Sequence, residues 1–361
     1  MPLVPFALVR RSARLLAPLR YLVRHGWLRE ASVDAVLALL HPAWRLERVF
    51  ARLRARRWVA DDMLALTLEP NGNWRGAEPG QHVQLYQQVD GVRLSRSYSL
   101  TAVHADGSVE IAIKRQPGGR LSNRLLDYLA IGDAVEIGAP FGELQWPQQA
   151  QSVLLLAAGS GLTPLLGLLR QALHKGFGAP VELLHYVRDS GQHAFAEELQ
   201  ALQQQYRNLR VRPLLSSQAG RFAPEHVQGS DATDLLTCGP DGFVSSVRRW
   251  WGSTGASNAA QAESFTPPTI TGDTSHSPLL LRFARAQLQV LGDSASSLLQ
   301  QAESAGLRPA HGCRQGICAS CTCVLVSGVV RDLRSNAVLN EPGQAIRLCV
   351  SVPLGDVVVD I

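Results

Sequence analysis

Three kinds of hydrophobic patterning follow one another along the chain, and each predicts a different class of element. In residues 1–50, stretches such as "LREASVDAVLALLHPAWRLERVFARL" place apolar side chains three and four residues apart, the spacing of amphipathic helices. Ser32 and Asp34 are candidate caps for one helix start, and Pro42 breaks the pattern. From about Arg52 to Pro147 the period shortens to two. Segments such as "MLALTLEP", "GQHVQLYQ" and "GSVEIAIKR" are separated by Gly, Pro, Asn and Asp, which predicts an antiparallel sheet or small barrel. From Gln151 to Phe265, apolar runs ("SVLLLAAG", "VELLHYV", "DLLTCG") alternate with helical ones ("PLLGLLRQALHKG", "AFAEELQALQQQY", "FVSSVRRWW"). That alternation predicts a parallel sheet with crossover helices. "TPPTITGDTSHSP" (Thr266–Pro278) has linker composition, and residues 279–361 carry strands of their own. The expected organisation is a helical extension over 1–50, an antiparallel β-barrel over 51–150, an α/β domain over 151–266, a linker over 267–278 and a small α+β domain over 279–361.

Composition narrows this picture without changing it. A chain of 361 residues with 46% apolar and 18% charged side chains is long enough for two or three domains, each with its own core. No apolar run reaches the roughly 18 residues of a membrane span. The nearest, around Leu154–Leu169, contains Gly159, Gly161, Pro164 and Gly167 and reads as strand, turn and helix. Arg10, Arg11 and Arg14 interrupt the apolar start, so no export signal is expected and a reducing cytoplasm is the expected compartment. The net charge of +5 is unevenly placed: residues 1–60 carry twelve Arg against three acids, and the remainder is net acidic. The basic character therefore concerns the partner of one terminal segment. No nucleic-acid partner is expected.

The sharpest chemistry lies in "HGCRQGICASCTC" (His311–Cys323). Cys313, Cys318 and Cys321 are spaced C-x4-C-x2-C, with Cys349 as a distant fourth, the plant-type arrangement of a 2Fe–2S ligand set. Four thiolates must converge on two irons, so the chain has to wrap a tight loop, for which Gly312 and Gly316 supply backbone freedom. Strand alternation after Cys321 turns Cys323 into the core as a small apolar residue. A structural zinc site is the alternative; it commonly uses two cysteine pairs close in sequence, and Cys349 has no such neighbour. "LLQQAESAGLRPAHGCRQGICASCTCVLVSGVV" followed by "IRLCVSVPLGDVVVDI" resembles the plant-type (β-grasp) ferredoxin domain over its whole length.

"RSYSLT" (Arg96–Thr101) offers an Arg for a diphosphate, an aromatic face and hydroxyl from Tyr98, and a small hydroxyl from Ser99. By itself it also reads as an ordinary alternating strand. "PGGRLSNRLLD" follows, with two glycines and Ser122 where a helix is expected to begin, a ready phosphate seat. "AAGSGLTP" (Ala157–Pro164) ends an apolar strand and opens a helix, with Gly159 and Gly161 allowing close backbone approach and Pro164 in place of the third Gly of the generic dinucleotide fingerprint. Together with "TCGP" (Thr237–Pro240) and "ESF" (Glu263–Phe265), these motifs resemble, in order, those of the ferredoxin–NADP reductase superfamily. The resemblance runs from about Arg52 to Ile361.

The resemblance implies a flavin held by Arg96, Tyr98, Ser99, Leu100 and Lys114, its phosphates by Gly119, Arg120, Leu121 and Ser122, and Phe265 against its ring. It favours FAD, with FMN as the minor alternative. It further implies a nucleotide held by Gly159, Gly161, Leu162, Thr163, Pro164, Cys238, Gly239 and Pro240, and Ser99, Cys238 and Glu263 as the residues around hydride transfer. NAD(P)H gives up two electrons at once and a 2Fe–2S cluster takes one; a flavin placed between them splits the pair. Arg188 in "HYVRDS" stands where an acid would accept a ribose 2′-hydroxyl, and an Arg suits a 2′-phosphate; Arg221 is a candidate second contact. NADPH is the expected donor, with NADH open as the alternative because Asp189 is adjacent. A solvated surface role for Arg188 is the plain reading.

The terminal acceptor has no ligand set in this chain. The basic helical start and "LEPNGNWRGAEPGQHV" (Leu68–Val83) resemble bacterial reductases that serve membrane-bound fatty-acyl desaturases. A reductase for a soluble aromatic-ring or other hydroxylase shares the layout, and a non-turnover redox sensor is the reading from another class. Leu15, Leu16, Leu19 and Leu22 are expected to form one helical face. That face either lies on an anionic membrane, placing the protein at the inner surface, or caps the barrel.

Overall fold

The computed structural model describes residues 2–89, 92–266 and 278–361, so the expected linker lies, but for Pro278, outside the described residues. The chain divides into two compact units, Met1–Gly239 with Phe243–Glu263, and Pro240–Gly242 with Ser264–Ile361.

The first unit opens with helices α1 (Phe6–Arg11), α2 (Ala17–Arg24) and α3 (Glu30–Leu40). Two details depart from expectation. Arg29 is the N-cap of α3, with no side-chain cap bond, and neither Ser32 nor Asp34 caps it. Asp34 is buried and turned to the returning chain, where it accepts the Leu46 N–H at 2.7 Å and pairs with Arg48 at 3.0 Å. Nor do the four leucines share a helical face: α1 stops at Arg11, residues 12–16 are turns, Leu16 is buried and Leu15 is 63% exposed. Leu16 instead joins Val33, Leu37 and Leu46 in one cluster. Phe6, Val9 and Ala43 join a second that reaches Phe50 and Ala134 of the following barrel. Arg20 ties the segment down by donating to the Leu46 and Ala13 carbonyls and to Asn73.

The barrel comprises β1 (Phe50–Ala60), β2 (Met63–Pro70), β3 (His82–Val89), β4 (Val92–Val103), β5 (Val109–Lys114), helix α4 (Arg120–Tyr128) and β6 (Ala134–Ile137). Its strands close in the antiparallel order β1-β2-β5-β4-β3-β6. Alternation sends Leu53, Leu66, Leu85, Leu100 and Ile111 inward, and Leu121, Leu125 and Leu126 of α4 share that core. Each such side chain contributes about 1.5–3 kcal/mol of transfer free energy when fully buried.

Next come β7 (Val153–Ala158), α5 (Leu162–His174), β8 (Val181–Val187), α6 (Ala196–Gln205), β9 (Leu209–Leu215), α7 (Ser216–Ala219), β10 (Asp234–Gly239), α8 (Asp241–Ser253) and β11 (Gln261–Ser264). They build a sheet of order β11-β10-β7-β8-β9, with β10, β7, β8 and β9 parallel. Helix α5 packs directly on the barrel. A Cβ on Gly167 would lie 2.3 Å from the Leu100 carbonyl oxygen, so only glycine allows the helix this close. Arg170, three residues on, bonds both Glu198 oxygens at 2.6 Å, Glu110 at 2.9 Å and the Thr101 carbonyl at 2.7 Å.

The second unit holds β12 (Leu279–Phe283), β13 (Leu288–Gly292), α9 (Leu298–Ser304), β14 (Thr322–Ser327), β15 (Val330–Asp332), β16 (Val338–Leu339), β17 (Ala345–Arg347), β18 (Ser351–Pro353) and β19 (Val357–Val359). One sheet has the order β13-β12-β19-β14-β17 and a smaller one β16-β15-β18. Helix α9 begins at a reciprocal cap between Ser297 and Gln300 and packs Leu298, Leu299 and Ala302 into the core with Phe283 and Cys323. Among the described residues no helix is long and apolar enough to cross a membrane.

Candidate functional site

Strand β4 carries Arg96–Thr101 past β3, pairing Leu85 with Arg96, Val83 with Tyr98 and His82 with Ser99. Leu100 is core, while the hydroxyls of Ser97, Tyr98 and Ser99 are buried without a partner among the described residues. Burial also pushes the Tyr98 phenol well above its ordinary range, with Arg96 opposing. Unpaired buried hydroxyls each cost about 1–3 kcal/mol, so their clustering on this short stretch marks it as made for a polar ligand, with Ser97 and Ser99 on one face of the strand and Tyr98 on the other. The phosphate seat lies at the start of α4. The helix begins at Arg120 with Gly119 as N-cap, two residues earlier than the expected start at Ser122, which sits inside the first turn. A Cβ on Gly119 would fall 2.4 Å from the Ser122 hydroxyl, so glycine here keeps the helix start open, and its amides suit a diphosphate. These groups fit FAD.

The turn from β7 into α5 brings the other glycines together. Gly159 has φ +54°, and a Cβ on Gly161 would lie 2.0 Å from the Cys238 carbonyl oxygen. The nucleotide loop and the "TCGP" segment therefore touch backbone to backbone. Pro164 is the third residue of α5, where no intrahelical N–H bond is needed, which accounts for proline in place of the third glycine. Thr163 donates to the Ser160 carbonyl at 2.9 Å. Lys114 ends β5, pairs with Asp62 at 3.4 Å and reaches the Gly159 turn. Arg188 follows β8 and is exposed, as is Arg221; Ser217 donates its N–H to the Arg188 carbonyl, drawing the chain after β9 to the end of β8.

Cys238 on β10 is fully buried, and burial followed by the nearby Glu263 charge pushes its thiol well above the ordinary value. It is a neutral thiol. Glu263 on β11 is buried, with Oε2 3.1 Å from Nε2 of buried His82. Thus Ser99, Cys238 and Glu263 gather within the first unit around His82. His82 was not singled out by the sequence reading, although a polar residue at an inward position of "GQHV" was its signal. Pro240 and Phe265 belong to the second unit.

In that unit the thiols form two pairs. The Cys313 and Cys318 sulfurs each accept the other residue's N–H, at 3.2 and 3.3 Å, and the Cys321 and Cys349 sulfurs lie 3.3 Å apart. Cys313 as donor, with the Cys313 and Ser320 amides, pulls the Cys318 thiol down to about 5. Among the described residues no three His, Cys, Asp or Glu side chains converge on a single-metal site; thiols divided into two pairs suit two irons. Gly316 has φ +73°, and its carbonyl accepts from Arg334 at 2.9 Å and also from Arg347. These two pinning arginines were not anticipated. Cys323 is buried in the core, its thiol raised to about 12 by burial.

Family comparison agrees with this geometry. An oxidoreductase FAD-binding domain matches residues 51–146, an oxidoreductase NAD-binding domain 155–249, and a 2Fe–2S iron–sulfur cluster binding domain 285–354. A "NADPH oxidoreductase" of Mycobacterium tuberculosis is 34% identical over 91% of this chain and 88% of its own. The chain belongs to the ferredoxin–NADP reductase superfamily, in the group with a C-terminal 2Fe–2S domain. Within it, the glycine betaine monooxygenase reductase subunit of Pseudomonas aeruginosa is 26% identical, covering 78% of this chain and 87% of that one. Phthalate dioxygenase reductase has a solved structure matching 86% of this chain and 97% of its own, at 26% identity and a TM-score of 0.58.

This reductase moves electrons from NAD(P)H through FAD to a 2Fe–2S cluster. Bound FAD supplies the change from hydride to single electrons. The chain's own contribution, on the geometry above, is a set of side chains withdrawn from solvent: Cys238 and Leu100 are fully buried, Ser99 and Glu263 nearly so.

Proposed function

We propose that the reductase takes hydride from NADPH at the pocket of Ser99, Cys238 and Glu263 and delivers single electrons to an oxygenase, specifically a membrane-bound fatty-acyl desaturase. The residues expected from sequence to hold FAD, nucleotide and cluster keep those roles in this proposal, as does the five-part division of the chain. NADPH is supported by Arg188 at the open end of β8 and by the name of the mycobacterial relative. An oxygenase acceptor is supported by the names of the monooxygenase and dioxygenase reductases.

The observation that carries the membrane-bound acceptor is the outer surface of the N-terminal helices. Trp27, Val36 and Leu39 are 73%, 59% and 77% exposed, although the opposite side of α3 already fills a core with Val33 and Leu37. A helix apolar on both sides calls for a second apolar neighbour. The test is reconstitution of NADPH-dependent acyl desaturation by adding the purified reductase to membranes containing a desaturase. Restored desaturation supports the reading. Absence of it, with efficient support of a soluble hydroxylase, sinks it in favour of the soluble-oxygenase reading that the two relatives' names favour.

A further inference from the structure

Away from the residues assigned above, the most constrained polar side chain is His185 in the middle of the parallel sheet. It sits on β8 opposite Ala157 of β7 and is fully buried. Its Nε2 is 2.9 Å from the Gly159 carbonyl oxygen, and its Nδ1 is 2.9 Å from Nδ1 of His193. A carbonyl oxygen can only accept, so Nε2 carries the hydrogen. Burial holds the imidazole neutral, down to about 3, against the pull of the Gly159 carbonyl and with His193 and Lys114 adding to the depression. A neutral ring has one N–H, so Nδ1 is a lone pair and His193 must donate to it. The hydrogen bonds therefore run in one direction, from His193 through His185 to the carbonyl of Gly159.

Gly159 opens the turn between β7 and α5. In a trans peptide the carbonyl and the following N–H point in opposite directions. Holding the Gly159 carbonyl toward buried His185 turns the Ser160 N–H away from it. The same carbonyl also accepts the Leu162 N–H within the 3-10 turn; without His185 that bond alone is left to hold it, and the peptide can rotate more easily and present oxygen where an anion binds. We propose that His185, oriented by His193, is a positioning residue for the nucleotide: it fixes the Gly159–Ser160 peptide so that N–H, and not oxygen, meets the pyrophosphate. The inference rests on the reading of Gly159–Pro164 as the pyrophosphate seat.

Two measurements on the holoenzyme separate the inference from that reading. Hydrogen–deuterium exchange with and without NADP+ tests the seat: amides of Ser160–Leu162 are expected to gain protection. If they do not, the seat is elsewhere and the inference falls with it. Calorimetric binding of NADP+ then tests His185. His185→Leu is expected to weaken binding about tenfold, raising KM for NADPH while leaving kcat at saturation near wild type. His185→Gln keeps one donor and one acceptor and is expected to stay within about twofold of wild type. His193→Ala, at a half-buried and more tolerant position, is expected to weaken binding about threefold; it carries the test if His185→Leu does not fold. Seat protection in the wild type combined with unchanged NADP+ affinity in His193→Ala and in folded His185→Leu overturns the role, and so does a His185→Gln protein as impaired as His185→Leu.

Discussion

The Glu263 carboxylate stands 3.1 Å from the His82 imidazole, and both side chains are almost entirely withdrawn from solvent. They come from opposite ends of the first unit, β11 and β3, and meet where Cys238 is packed. Neither Glu263 oxygen has a hydrogen-bond partner among the described residues, so His82 is a close polar neighbour rather than a bonded one. His82→Leu puts an apolar wall beside the buried carboxyl and is expected to destabilise the protein by about 1–3 kcal/mol. Glu263→Gln removes the charge itself and is expected to cost less. Urea unfolding of the two variants checks the order, and equal or reversed losses would mean the pair is not an energetic unit.

The four paired cysteines should behave alike and differently from the fifth of the region. Replacing Cys313, Cys318, Cys321 or Cys349 with Ser is expected to abolish 2Fe–2S absorption while flavin reduction by NADPH continues. Cys323→Ser places a hydroxyl in the core next to Leu325 and Phe283 and is expected to cost about 1–3 kcal/mol of stability with the iron content unchanged. Iron and sulfide analysis of the five proteins decides; equal loss in Cys323→Ser would overturn the ligand assignment.

Arg188 is exposed at the end of β8, where its backbone carbonyl accepts the Ser217 N–H. A charge-assisted contact to a 2′-phosphate is worth about 1.5–3 kcal/mol. Arg188→Ala is therefore expected to raise KM for NADPH about tenfold or more and leave KM for NADH nearly unchanged. Parallel changes with both nucleotides would assign Arg188 to the solvated surface.

What was legible in the sequence was local. The C-x4-C-x2-C loop, the glycines around Gly159 and the hydroxyls of β4 lie within a few residues of one another, and their spacing alone restricts the chemistry. The contacts that complete the sites join distant segments: His82 with Glu263, Arg334 and Arg347 with Gly316, His185 with Gly159. Periodicity shows that a position faces inward; it does not name what it meets there. The N-terminal leucines show the converse. Their spacing fits one helical face, but the chain turns over residues 12–16 and divides them between core and solvent.

Arg170 makes acid stability a test of how α5 is held to the barrel. Burial raises the Glu110 carboxyl, but Arg170 by charge and hydrogen bond, then Thr101 and Arg57, more than reverse this, leaving it below its ordinary value of 4.5. A carboxyl lowered by folding stabilises above its unfolded value, and that contribution is lost as pH falls through the folded one. Stability from this site is thus full at neutral pH and declines below about 4.5. Arg170→Met is expected to cost about 3 kcal/mol at pH 7, by taking the main counter-charge from buried Glu110, which keeps Thr101 at 2.7 Å and the more exposed Arg57 at 3.2 Å, and progressively less as the carboxyl is protonated. Unfolding midpoints of the two proteins at pH 7 and pH 4 check this; a gap that does not narrow in acid would contradict it.

The outer face of the N-terminal helices separates docking from capping, but not by deletion. Phe6, Val9 and Ala43 cover Phe50 and Ala134, and Gly72 sits so close to α1 that a Cβ there would lie 2.9 Å from the Arg10 carbonyl. Removing residues 2–45 is therefore expected to destabilise the barrel whatever else the segment does. Surface substitution avoids this. Trp27, Val36 and Leu39 are exposed, and Leu3, whose N–H bonds the Leu40 carbonyl at 2.9 Å, extends the same apolar surface at the end of α3. Arg11, Arg14, Arg24 and Arg29 of the same N-terminal segment are also exposed. A segment that exposes both apolar or aromatic side chains and cations suits an anionic lipid interface. The triple variant Trp27→Ser, Val36→Ser, Leu39→Ser loses nothing from the core, so it should fold normally and keep NADPH-to-dye electron transfer. Wild type is expected to sediment with vesicles of phosphatidylcholine and phosphatidylglycerol, less so in high salt as the arginine charges are screened. The variant should stay in the supernatant. A wild type that never sediments, or a variant that sediments equally, would leave the segment as a cap on the barrel.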